Sequence, residues 1–443
     1  MMKTIIPAAA PALTGVLSRL LSRLAREKLF SLLAGLKHGR LTVIDAEASW
    51  RFGECAAAGQ LEATVHIHDE RFYAQILLGG SIGAGEAYMV GYWSSDDLTK
   101  VVRIIIMNDE VFEGLDKGWA RIRHPFNTLL HFLRRNTEEG SRLNIAAHYD
   151  LGTDFYKLFL DETLTYSCGI FEEDQATLKD ASLSKYDRIC RKLQISPKDN
   201  VLEVGSGWGG FAIHAASRYG CRITTTTISK SQYDFGRERV KAFGLEDRVE
   251  ILFKDYRALD GIYDKLVSIE MIEAVGHQYL GTFLRCCSDR LKPDGMMLLQ
   301  AITIADHVFE AYKRSVDFIK RYIFPGGCLT SVAAICASMA SETNLRLCHL
   351  EDITPHYVTT LSEWRNRFLA NCDQVLGLGY SETFVRMWEF YLCYCEAGFA
   401  ERYLGDAQMI FTKPLCRSSP ILLPLVSDAG CDAFPSGIKI DKR

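Results

Sequence analysis

The chain has no pair of cysteines at C-x-x-C spacing although it holds 14 of them; the nearest spacings are Cys286-Cys287 and Cys393-x-Cys395. Thiols scattered in this way point to a reducing cytosol and argue against both a disulfide framework and a zinc site, so no metal is expected. Long apolar runs are also missing. No stretch reaches the roughly 18 to 20 consecutive apolar residues that a membrane-spanning helix needs. Nor is there a basic excess: a formal net charge of −4 gives no global positive field to argue for nucleic acid as a partner. Finally, the second strand-like run, residues 222–229, contains no acid. A dinucleotide site usually places a ribose-binding acid there.

What is present is a glycine loop. Val201-Leu202-Glu203-Val204 runs into Gly205-Ser206-Gly207-Trp208-Gly209-Gly210 and then into the helix-compatible 211–218, the pattern of buried strand, tight turn and helix. Glycines suit a turn that needs positive φ or close approach to a ligand, and a helix start offers free N–H groups to an anionic group. Glu203 sits two residues before the first glycine, and Asp255 closes the third apolar run, 249–254. This spacing resembles class I S-adenosylmethionine-dependent methyltransferases more than nicotinamide or flavin enzymes.

At 443 residues and 48% hydrophobic content, the chain is long enough for two or three domains. Residues 1–38 form an amphipathic helical segment, with Leu13, Val16/Leu17, Leu20/Leu21 and Leu24 at helical spacing and a polar face carrying Arg19, Arg23, Arg26 and Lys28. Such a helix suits an anionic membrane interface or the protein's own core. Residues 39–135 mix alternating runs such as 63–68 with a glycine-rich turn at 78–83, reading as a small α+β domain with lipid binding as a candidate role. His66, His68 and His124 read as ordinary surface or core histidines, and the aromatic segment 85–93 as core or lipid-facing. The charged passage 136–143 reads as a linker, 144–415 as the catalytic domain and 416–443 as a tail. In the catalytic region, strand-like runs at 201–204, 222–228, 249–254, 263–269 and 296–304 alternate with helical patterns, and runs at 345–350 and 407–412 complete a seven-stranded set. The fold class is α/β: a Rossmann-like, mostly parallel sheet with ligands at the carboxyl ends of its strands, preceded by the smaller α+β domain.

Several ordered blocks are more specific. Asn144–Gly152, Thr165–Phe171, the glycine loop, Ile228–Gln232, Glu270–Gly276 and Tyr322–Cys328 together resemble the cyclopropane-fatty-acyl-phospholipid synthase family over roughly 144–414. The resemblance implies transfer of a methyl group from S-adenosylmethionine to the cis double bond of a phospholipid acyl chain, then proton loss and ring closure, with a bound bicarbonate as base. It also implies a peripheral location on the inner, cytoplasmic face of a membrane, and a homodimer. Carried across by residue, Cys168 falls in the bicarbonate pocket, Glu273 orients the ion, Tyr357 donates to it, and Cys395 lies near the site. Tyr166 and Ser167 match residues that touch S-adenosylmethionine; Gly205 and Gly207 pass its methionine portion. Thr227 and Gln232 stand in for the missing ribose acid, Tyr256 and Arg257 border the adenine, and Asp255 caps its turn. His148 and Asp150 belong to the first block without an assigned role.

One position departs from the pattern. Ring-forming family members typically carry a histidine where this chain has Gln300. An amide donates a hydrogen bond but cannot become cationic or relay a proton. Methylation of an unsaturated acyl chain or another apolar acceptor without ring closure therefore stands as the alternative, and a non-catalytic, membrane-associated cofactor binder as the second.

Overall fold

The computed structural model describes residues 15–54, 61–112 and 151–421. The 136–143 linker, His124, His148, Asp150 and the tail beyond residue 421 lie outside the described residues.

A small mixed sheet comes first. Its strands are β1 (Arg40–Ile44), β2 (Ser49–Phe52), β3 (Glu62–Ile67) and β4 (Trp93–Ser95), in the order β2-β1-β3-β4. Alternate residues of β3 are buried, as a half-covered sheet requires. The glycine-rich stretch expected as a turn at 78–83 instead lies inside the helix Arg71–Met89, which breaks at Gly80 (φ 56°, ψ −139°). Glycine takes that conformation without the steric cost a side chain adds, so the chain kinks and resumes helix rather than turning away. Tyr88, Met89 and Trp93 are core residues. His68 is bonded to Ser94.

The helix Gly15–Leu33 buries Ala25, Leu29 and Leu33 while Leu20 and Leu24 are 58% and 55% exposed. In the apolar stripe read from the sequence, Leu20 and Leu24 thus face out and Leu21 is half-buried, while the covered residues Ala25, Leu29 and Leu33 follow it along the helix. Exposed Arg19, Arg23 and Lys28 accompany them.

The second sheet has strands β5 (Asn200–Val204), β6 (Arg222–Thr227), β7 (Val249–Phe253), β8 (Tyr263–Ile269), β9 (Leu291–Ile304), β10 (Arg346–Asp352) and β11 (Leu404–Thr412), ordered β10-β11-β9-β8-β5-β6-β7. From β9 to β7 all neighbours are parallel, and β11 and β10 add antiparallel pairs at one edge. Four consecutive residues of β5 are buried because helices cover both faces. Val201, Ile223, Ile213 and Val240 share one core; Leu202, Leu266, Phe283 and Ile335 share the other. Every cysteine among the described residues is a free thiol.

The long helix Glu382–Ala400 joins the two sheets' territories. It packs on Arg71–Met89, Leu98–Met107 and Thr354–Ala370. Thr99 donates to Glu396 (3.3 Å), Tyr88 to Glu389 (2.8 Å) and Arg103 to Glu401 (2.6 Å). Gly85 lets Phe318 come so close that a β-carbon there would stand 2.5 Å from its ring.

Candidate active site

Two cavities meet at the carboxyl ends of β5 and β8. The smaller, about 150 Å³, is lined by Tyr166, Ser167, Glu203, Gly205, Gly207, Thr227, Gln232 and Tyr256. Gly205 (φ 99°) and Gly207 (φ 48°) bend the loop, and a β-carbon on Gly205 would stand 2.9 Å from Met271 Cγ. Thr227 donates to Gln232 Oε1 at 2.9 Å. Ser167 Oγ accepts from the fully buried Lys185 at 2.5 Å. Asp255 caps its turn, accepting from the Arg257 N–H at 2.9 Å. Arg257 does not border the cavity: its guanidinium is turned back onto Asp255 at 2.7 and 2.8 Å. A carboxylate two residues away captures the charge locally, which residue spacing alone does not reveal.

The lining fits S-adenosylmethionine. Glu203 is buried with Oε2 unpartnered, and burial raises its carboxyl to about 8. A buried acid lacking a partner is costly unless it stays protonated or meets a cation, and the ligand's ammonium is such a cation. Ionising Glu203 on binding releases a proton. Calorimetry of S-adenosylhomocysteine should therefore show affinity rising with pH by up to tenfold per unit below about 8. The Glu203→Gln variant should bind more weakly and lose this slope; a wild-type slope in the variant would assign the dependence elsewhere.

The larger cavity, about 780 Å³, runs between the sheets. Leu29, Leu33, Val43, Val65, Phe72 and Ile105 line one part; Tyr166, Glu270, Glu273, Tyr357, Tyr391 and Cys395 line another. Tyr166, Glu270 and Ala274 belong to both cavities. Aromatic rings surround this junction. Tyr166 lies 5.1 Å from Trp364 and 6.5 Å from Phe324, its hydroxyl is 2.8 Å from that of Tyr391, and Tyr357 stacks on Phe399 at 4.3 Å.

The donors that the resemblance directed toward a bicarbonate ion converge instead on Glu270. Its Oε1 accepts from the Cys168 N–H at 2.9 Å and from Gln300 Nε2 at 2.7 Å, and its Oε2 accepts from the Tyr357 hydroxyl at 2.6 Å. Cys168 contributes its backbone. Its thiol is buried and burial pushes it well up, toward the neutral form. Glu273 stands apart from this network, accepting from the Ile302 N–H at 2.6 Å with Oε2 unpartnered. Burial, and then the Glu270 charge, raise Glu273 to about 8. Asp406 is likewise raised well above the usual carboxylate range, by burial and then by Glu270. Cys395 lies on the cavity wall, and its thiol is raised by burial. The sequence reading gave Glu270 no role. The available signal was an acid directly after a buried strand, three residues before a second acid; in the fold it takes a left-handed φ of 47°, which a non-glycine residue holds only when its surroundings enforce it.

The model of the mycolic acid cyclopropane synthetase family matches residues 136–409. A tuberculostearic acid methyltransferase of Mycobacterium tuberculosis is 40% identical over 336 residues, covering 74% of this chain and 78% of that protein. The cyclopropane-fatty-acyl-phospholipid synthase of Escherichia coli is 34% identical over 370 residues, 81% of this chain and 90% of that one. Among solved structures, a mycolic acid cyclopropane synthase complexed with SAH and CTAB is 31% identical, with a TM-score of 0.58, over 61% of this chain and 98% of its own. With its glycine loop, its seven-stranded sheet and a match over most of its length, the chain belongs to the mycolic acid cyclopropane synthetase family and is an S-adenosylmethionine-dependent methyltransferase.

Proposed function

We propose that the protein methylates the cis double bond of an unsaturated acyl chain of a membrane phospholipid, with the Glu270 carboxylate, rather than a bound bicarbonate, as the base. The observation that carries this reading is the long, largely apolar cavity opening onto the cofactor cavity at Tyr166, Glu270 and Ala274. Bound S-adenosylmethionine supplies an electrophilic methyl group. The chain supplies alignment, a factor that can be worth about 7–11 kcal/mol. Tyr166, Tyr357, Tyr391 and Phe399, which line the larger cavity, provide aromatic walls around the cation left on the methylated alkene, at on the order of 0.5–2 kcal/mol for each well-placed ring. A bicarbonate ion fits poorly because the expected donors, the Cys168 N–H, Gln300 and Tyr357, are already spent on Glu270.

Proton removal from the transferred carbon closes a cyclopropane ring, while removal from a neighbouring chain carbon leaves an alkene. The second outcome gains support from Gln300 in place of histidine and from the relative named as a tuberculostearic acid methyltransferase. Mass spectrometry of transmethylated lipids, from a host lacking its own cyclopropane synthase, tests both. A gain of one CH₂ unit with a ring supports synthase chemistry. The same gain with an alkene supports methylation without closure, and no gain in a folded, cofactor-binding protein overturns the acyl-chain reading.

For access to the bilayer, exposed Leu20 and Leu24 beside Arg19, Arg23 and Lys28 form an interfacial face on the helix whose Leu29 and Leu33 line the cavity. This face supports peripheral association with the inner leaflet. Replacing Leu20 and Leu24 together by Glu should reduce sedimentation with phosphatidylglycerol vesicles at least about tenfold, since a buried leucine contributes roughly 1.5–3 kcal/mol. Unchanged sedimentation would move the contact to another surface.

A further inference from the structure

We propose that Lys192 is a positioning residue for this reaction: through Gln408 and Gln300, it fixes which end of the Gln300 amide faces Glu270. The inference rests on the reading of Glu270 as the base. Four side chains from different elements form one hydrogen-bonded line. Lys192, at the end of the helix Leu178–Lys192, donates to Gln408 Oε1 at 2.8 Å. Gln408 on β11 lies opposite Gln300 on β9, and its Nε2 donates to Gln300 Oε1 at 3.0 Å. Gln300 Nε2 then donates to Glu270 Oε1 at 2.7 Å and to Asp406 Oδ2 at 3.3 Å. Gln300 and Gln408 are fully buried, and Lys192 is 7% exposed.

The direction of this line follows from its first member. An ammonium has donors and no acceptor, so Gln408 must present its oxygen to Lys192 and its nitrogen to Gln300. Gln300 must then accept through its oxygen and aim its nitrogen at Glu270. Each amide has nearly the same shape when flipped, so packing alone does not choose between the two orientations. Reversal would place Gln300 Oε1 against the Glu270 carboxylate, two acceptors in contact, and would take a hydrogen-bond donor away from the base. An imidazole at this position carries its own N–H donor; an amide has to be oriented.

The cation is itself anchored. Glu351 Oε2 accepts from Lys192 at 2.6 Å and from Arg188 Nε at 2.7 Å. Burial pushes Glu351 upward, but hydrogen bonds from Arg188 and Lys192 prevail and hold it at about 2. His349 also faces Lys192. The other groups around Glu270 are the Cys168 N–H, the Tyr357 phenol, Asp406, Glu273 and the Lys185 ammonium.

The test uses full-length protein, vesicles of unsaturated phosphatidylglycerol and S-adenosylmethionine labelled in its methyl group. Lys192→Met should lower kcat at least about tenfold, the effect of one hydrogen bond to a charged group, while KM for S-adenosylmethionine stays within about twofold. Lys192→Arg, which retains the donors, should recover most of the activity. Wild-type kcat in Lys192→Met overturns the proposal, as does a loss that arginine does not rescue. Should Lys192→Met fail to bind S-adenosylhomocysteine, Gln408→Glu serves instead: ionised, it keeps the contact to Lys192 but offers Gln300 only an acceptor. It should lose kcat as pH rises, and an undiminished, pH-independent kcat overturns the relay. Full turnover in Glu270→Gln overturns the reading of the base itself, whereas an inactive Glu270→Gln beside a normal Lys192→Met overturns the relay alone.

Discussion

Glu270→Gln is expected to lower methyl transfer to lipid by about 10²–10⁴-fold, the range set by losing a positioned general base. The substitution is nearly isosteric. It leaves the Cys168 N–H and Gln300 an oxygen to donate to, and its new amide N–H can donate to the Tyr357 hydroxyl oxygen, so the fold and the cofactor cavity should persist. Binding of S-adenosylhomocysteine is the control. It should stay within about threefold of wild type, because the group lost acts on the lipid-derived cation after the cofactor is bound. Added bicarbonate distinguishes the two candidate bases. With Glu270 as base, wild-type activity is indifferent to bicarbonate depletion. A wild-type enzyme that stalls without bicarbonate, together with an active Glu270→Gln variant, would return the role to the ion.

Much of the architecture was legible because each parallel strand carries its own signal. Residues 201–204, 222–228 and 263–269 are short apolar runs broken by turns, and β5, β6 and β8 coincide with them to within a residue. The edge strands β10 and β11 were legible for the same reason. The capping role of Asp255 is local, requiring only the next two residues, and it too could be read. Glu270 was not legible as a site residue, because its role is made by contacts from residues 168, 300 and 357. No local pattern encodes that convergence. Arg257 failed for the opposite reason: its place after β7 suits an adenine, but Asp255 takes its charge at shorter range. The exposed pair Leu20 and Leu24 shows a third limit. A helical leucine stripe tells that an apolar face exists, while tertiary packing decides which turns are covered.

The joint between the two sheets carries the other large effect. Glu86 has no exposed surface. Its Oε1 accepts from Tyr322 at 2.6 Å and pairs with Arg321 at 3.2 Å, while Gln75 lies 3.4 Å from Oε2. Glu86 belongs to the kinked helix beyond Gly80, whereas Arg321 and Tyr322 belong to the π-helical turn Ile319–Ile323, whose Ile319 and Lys320 line the larger cavity. A π turn departs from regular helical bonding and needs side-chain support to hold its shape. Removing one partner of a buried pair typically costs about 3–5 kcal/mol. Glu86→Ala should fall toward the lower end of that range, because Arg321 is 17% exposed at its side chain and can turn to water, while the Tyr322 hydroxyl cannot. Glu86→Gln, which keeps an acceptor for Tyr322, should lose less. Thermal unfolding measures the cost. The two variants' KM values for phospholipid vesicles, compared with their KM for S-adenosylmethionine, show whether the joint also shapes the cavity. A rise confined to the lipid KM places its effect on the acyl channel, equal rises in both assign it to the fold as a whole, and a wild-type unfolding temperature in Glu86→Ala would mean that the apolar packing of Phe318 on Gly85 and Phe390 holds the sheets together without it.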